Sequence, residues 1–119
     1  MHDLFNPRIP PENLTSGRFP VHAVKSDTTE PALRGGRDYA LLAPVTAHQG
    51  EGIYLVDDGL PLDLYWVSST LEKGGALSLS RENPRYGART VGREEFDERF
   101  VGIVVADIKV RSERFLANG

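Results

Sequence analysis

Glycine and proline cut this chain into short apolar runs, and that punctuation constrains its fold more than any other feature. Twelve glycines and eight prolines are spread over 119 residues, and the segments between them read as strands rather than core helices. Phe19 to Val24 alternates weakly. Tyr39 to Ala43 is apolar and stops at Pro44. Gly52 to Val56 is followed by Asp57-Asp58-Gly59, residues that suit a tight hairpin turn. Leu62 to Ser69 is rich in aromatic and β-branched side chains. Leu71 to Gly75 is a second turn. Leu77 and Leu79 then alternate with Ser78 and Ser80, the period of a half-buried strand. Glu82 to Gly87 reads as a loop. Glu94, Glu95, Asp97 and Glu98 ahead of Phe100 suit a short helix or 3₁₀ turn near 93–99. Phe100 to Val110 is the strongest strand, and its continuous apolar centre predicts burial on both faces. Short strands at even spacing predict an all-β fold, barrel or sandwich-like.

The length allows one domain with a modest core. Four prolines fall within residues 1–20, where apolar periodicity is weak, so that segment is expected to be an extended arm ahead of a domain spanning 21–119. The net charge of -3 gives no basic field, so no direct nucleic-acid binding is expected. No apolar run reaches membrane-spanning length, and the first residues lack the basic-then-apolar layout of a signal peptide. The absence of cysteine excludes a disulfide framework and fits a reducing cytoplasm.

Most chemical motifs are missing. His2, His22 and His48 are scattered without ligand spacing, so no metal is expected. Arg34-Gly35-Gly36-Arg37 lacks the phosphate-loop pattern and reads as a plain turn, and no other cofactor motif occurs. No G-x-S-x-G elbow supports a serine triad. One stretch stands apart: Asp27-Thr28-Thr29-Glu30-Pro31-Ala32-Leu33-Arg34-Gly35-Gly36. A small hydroxyl residue leads a Glu-Pro turn, which runs through glycines into an apolar strand.

In context, that stretch resembles the nucleophile loop of the LexA-like and phage-repressor C-terminal domains, related in fold to signal peptidases. Their loop reads S-M-E-P-T-L, preceded by Asp and followed by Gly-Asp and an apolar strand. Gly52-Ile53-Tyr54-Leu55 is similar to the family's G-I-Y-V. Leu77 to Tyr86, ending Asn83-Pro84-Arg85-Tyr86, is similar to L-R-L-I-S-D-N-P-x-Y. Phe100 to Val105 is similar to I-I-G-R-V-V. The resemblance covers roughly residues 21–110 and implies a LexA/signal-peptidase-like fold of short, strongly bent strands.

The resemblance also locates what has changed. Thr28 stands where the family has its nucleophilic Ser, and Tyr65 falls near the position of its Lys base. A hydroxyl needs a base to become a nucleophile. A phenol, protonated at neutral pH, does not replace a neutral amine, and the threonine methyl crowds attack. The implied reading is a catalytically inactive domain that acts through association, by homodimerisation or by pairing with a repressor-type transcription regulator. In the family, dimerisation runs largely through C-terminal strands, here Phe100 to Leu116, and Arg111 to Leu116 is expected to add an edge strand. Thr29, Glu30, Pro31 and Trp66 are the expected lining of the former cleft. Tyr65 and Trp66 should face opposite sides, one in the core. Two alternatives stand beside this reading: a peptidase using Thr28 with Lys25 or Lys73 as base, and a module that binds peptides or ligands in the old cleft without cutting. A third reading of the loop is structural, with Thr28 capping a turn and Pro31, Gly35 and Gly36 shaping the backbone.

Overall fold

The structure, a computed structural model, describes residues 8–57, 62–72 and 74–117. It carries seven strands: β1 (Val21–Ala23), β2 (Tyr39–Ala43), β3 (Gly52–Val56), β4 (Asp63–Ser69), β5 (Leu77–Ser80), β6 (Arg89–Val91) and β7 (Phe100–Ile108). They form one antiparallel sheet in the order β1-β2-β7-β3-β4-β5-β6. The protein is therefore mainly β, as its punctuation predicts. The last strand enters the middle of the sheet, so within the sheet β7 is what links β2 to β3.

The helices are short: α1 (Pro11–Leu14), α2 (Arg93–Arg99) and α3 (Glu113–Ala117), with a 3₁₀ turn at Asp27–Thr29. α1 begins with Pro11 at its first position, where a missing N–H costs nothing. α2 falls on the acidic cluster as expected. Glu94 and Glu95 lie in its first turn and Arg99 in its last, matching the helix dipole. The backbone N–H of Leu42 donates to the Pro20 carbonyl, which joins the end of the N-terminal segment to β2.

The sheet has a core on each face. On one lie Tyr54, Val56, Tyr65, Val67, Leu79 and, from α2, Phe96. Phe96 stacks on Phe100 with centroids 5.0 Å apart and meets Tyr54 edge-on at 5.3 Å. On the other lie Val24, Leu33, Ala40, Leu42, Leu55 and Leu64. β4 feeds both, because Leu64 and Tyr65 point to opposite faces and both are buried.

Three expectations need correcting. β7 is not buried on both faces. Its register slips by one residue against β2 and again against β3, which leaves Val105 and Val101 without cross-strand partners. These bulged residues turn to solvent, 52% and 47% exposed. The segment after it is no edge strand: Glu113 to Ala117, with Glu, Arg, Leu and Ala as strong helix formers, makes α3. Arg89 to Val91, assigned no strand from sequence, pairs with β5 as β6. The tip of the expected turn at Asp58-Gly59, Lys73, His2 and the rest of residues 1–7 lie outside the described residues.

Candidate functional site

The loop after β1 is built around Ser26, Thr28 and Gly35. Ser26 precedes the 3₁₀ turn in extended backbone, and its side chain caps the turn by accepting from the Thr28 N–H. The cap is thus Ser26, not Thr28. Gly35 passes so close to Ser26 that a Cβ there would sit 2.4 Å from the Ser26 carbonyl oxygen. Gly36 has a φ of +75° and donates its N–H to the Val24 carbonyl, closing the loop back on the end of β1. The Gly-Gly pair is required by backbone approach and conformation, in keeping with the structural reading of the loop. Glu30 accepts from the Gly35 N–H, and the Glu30–Pro31 peptide is cis.

The Thr28 hydroxyl is buried and committed to neighbours. Its Oγ1 lies 2.8 Å from the Ser26 Oγ and donates to the Asp63 carboxylate at 3.1 and 3.2 Å. The Arg81 Nη1 holds the same carboxylate at 2.6 Å and also donates to the Leu64 carbonyl. The Arg81 guanidinium lies 3.6 Å from the centroid of the Tyr65 ring. The Leu64 N–H and, at 3.4 Å, the Ser26 Oγ also donate to Asp63. The result is a line of contacts: Ser26, Thr28, Asp63, Arg81, Tyr65.

The line is clamped from outside by the loop after β5. The Asn83 N–H donates to the Thr28 carbonyl and its Nδ2 to the Asp27 carbonyl, both at 2.9 Å. The Tyr86 hydroxyl donates to the Asp27 carboxylate at 2.7 Å, and that bond pushes the phenol's pKa up. Beyond the glycines, Arg34 grips buried Asp38 through two nitrogens, at 2.8 and 3.0 Å, and donates to the Val110 carbonyl. This grip holds the Asp38 carboxyl well below the usual carboxylate range. The Lys109 Nζ reaches the Ala32 carbonyl.

The predicted site residues do not share one cleft. Asp63, rather than Tyr65, meets Thr28; Tyr65 lies two residues along on the same strand face, buried beneath Arg81. Trp66 points to the opposite face and is partly exposed. It borders two shallow grooves, one with Ser80 and Glu82, the other with Ile53 and Val105, and Thr28 lines neither. Thr29 is turned into the interior, its hydroxyl without a hydrogen-bond partner among the described residues. Pro31 is exposed. Among the described residues, the partners of the Thr28 hydroxyl are Ser26 and Asp63, and Lys25 is not one of them. The signal for Asp63 was available in its position, since residues 63, 65 and 67 of a strand share one face.

Chemically the arrangement supplies a hydroxyl and an acceptor, but a poor base. A carboxylate is far less basic than the neutral amine of a Ser-Lys pair. His22 is half-buried nearby. Burial pushes its pKa down, while the charge of Asp63 acts the other way and Lys25 adds to the fall. Among the described residues, no group of three or more acidic, His or Cys side chains is placed to hold a metal ion, and no helix is long and apolar enough to cross a membrane. No family model, curated protein or solved structure matches the chain.

Proposed function

We propose that this chain is a catalytically silent domain of the LexA and phage-repressor type that works by protein association in the cytoplasm. It acts as a homodimer or paired with a repressor-type transcription regulator. The observation that carries the reading is the bonding of Thr28: its hydroxyl faces a carboxylate tied to Arg81, not an amine. A hydroxyl so placed is a structural tie. The association half draws support from the C-terminal part of the chain, where Val101, Val105, Ile108, Phe115 and Leu116 are all exposed.

A peptidase would need a base of another kind at Thr28, and binding in a former cleft would need an open groove beside it. Neither has a specific observation in its favour. Size-exclusion chromatography with light scattering tests the leading reading. We expect twice the chain mass as concentration rises; a strict monomer at high concentration would count against homodimerisation.

A further inference from the structure

α2 is fixed to the sheet at both ends and held down in the middle by one side chain. Ahead of it, Val91 of β6 is buried and pairs with Leu77. At its end, the Arg99 carbonyl accepts from the Asp57 N–H, and Phe100 pairs with Val56. Between these anchors, Phe96 alone is buried. Seven residues are too few for a helix that is stable by itself, so α2 persists by keeping that ring in its socket. The socket is aromatic. Tyr54 and Phe100 form part of it, and His48, from the loop between β2 and β3, forms the rest. His48 stacks on Tyr54 with centroids 5.6 Å apart and meets Phe96 edge-on at 5.9 Å. The Tyr54 hydroxyl is committed: it accepts from the Gln49 N–H and donates to the Gly50 carbonyl, both at 2.8 Å. The His48 Nε2 is buried and has no hydrogen-bond partner among the described residues.

We infer that His48 is an acid-operated latch on α2: a proton taken up by its ring releases Phe96 and lets the helix lift from the sheet as a local flap. The cause lies at Nε2. A neutral imidazole can carry its proton on Nδ1 and leave Nε2 bare, whereas the cation has an N–H at both nitrogens. Protonation therefore sets a charge and an unmet donor among rings. Aromatic faces attract a cation, but less strongly than water hydrates one. Two charged side chains act on the ring, both from α2: Arg93 opposes the cation and Asp97 favours it. β3 contributes Tyr54, a phenol that burial keeps neutral, and β7 contributes Phe100. Glu51, the acid of the same loop, is exposed. Burial is the largest of these influences and pushes the His48 pKa down, with Arg93 adding to the fall. Once α2 lifts, the imidazole meets water and regains its ordinary pKa of about 6.5. The lifted form thus binds more protons, and lifting grows by up to about tenfold per pH unit below that value. The anchors at Val91 and Phe100 confine the opening to the helix. The latch does not depend on how the chain associates.

Amide hydrogen exchange on the full chain tests this, at pH 7 and pH 5, with each rate corrected for its intrinsic pH dependence. The amides of Phe96 to Arg99 report the flap, and those of β3 and β4 report the sheet. In the wild type we expect protection of the α2 amides to fall about tenfold or more between the two pH values. Their exchange at pH 5 should be faster than that of the sheet and insensitive to low urea, the mark of a local opening. His48→Phe should abolish the fall, and His22→Gln should leave it in place. α2 protection that is equal at the two pH values would overturn the latch. So would α2 amides that exchange only together with β3 and β4, with the same protection and the same urea dependence. Both of these comparisons are made on the wild type and decide the matter even where His48→Phe folds poorly. A fall that persists in a folded His48→Phe, or that His22→Gln removes, would equally overturn it.

Discussion

The loop around Thr28 and the end of the chain around α3 treat their side chains in opposite ways. At Thr28, polar groups are drawn inward and matched: Asp63 takes Thr28, Ser26 and Arg81, while Asp38 takes Arg34. The distances are short, 2.6 Å for Arg81 to Asp63 and 2.8 Å for Arg34 to Asp38. At α3, apolar side chains face outward and the Arg37–Glu113 pair stands at 3.7 Å. An active site usually keeps some groups strained or unmet. The loop around Thr28 ties that hydroxyl down and leaves only its neighbour Thr29 unmet among the described residues, while exposed apolar surface gathers at the other end. On the proposed reading, the Thr28 hydroxyl is a structural tie and association uses a surface elsewhere on the chain.

Substitutions on the two sides sharpen that contrast. The largest effect is expected from Phe96→Ala, which empties the ring cluster between α2 and the sheet and should cost about 3–5 kcal/mol by urea unfolding. Phe115→Ala removes a ring of the same size from the exposed side and should stay within about 0.5 kcal/mol. A comparable loss at both would break the comparison. Asp63→Ala comes next. It strips an acceptor from Thr28 and leaves Arg81 without its carboxylate, for an expected loss of about 1–3 kcal/mol.

The pH dependence is smaller and has two windows. His22 and His48 have pKa values lowered chiefly by burial; Arg93 lowers that of His48 further and Asp97 opposes the fall. His48 lies against Tyr54 and Phe96. The unfolded chain therefore binds more protons below its ordinary imidazole pKa of about 6.5. The contribution of neutral His is full above that pH and shrinks as pH falls toward the lowered values. Asp38, depressed by Arg34, contributes above about pH 4 and loses that contribution on further acidification. Unfolding midpoints measured from neutral to acid pH should fall in both windows, and His48→Phe should flatten the first. A first window unchanged by that variant would remove His48 from the explanation.

Local pattern carried much of the fold. The apolar runs at Tyr39–Ala43 and Gly52–Val56 are β2 and β3, and the acidic cluster at 93–99 is α2. Failures came where neighbours decide. Arg89-Thr90-Val91 is too short to show a period and is a strand only because β5 offers its edge. Val101 and Val105 read as core because bulges are invisible in an apolar run. Within the site, Thr28 and the turn-forming glycines were legible from local chemistry. The period of two puts Asp63 on the Tyr65 face, but its contact with Thr28 joins residues 35 apart and depends on how the loop crosses the end of β4.

A double-mutant cycle between Thr28→Val and Asp63→Ala, read by urea unfolding, tests the central claim most directly. Valine keeps the shape of threonine and removes its hydroxyl. We expect a coupling of about 1 kcal/mol between the two sites, the ordinary net value of a hydrogen bond of this kind. Additive effects with no coupling would contradict the claim and leave the Thr28 hydroxyl uncommitted.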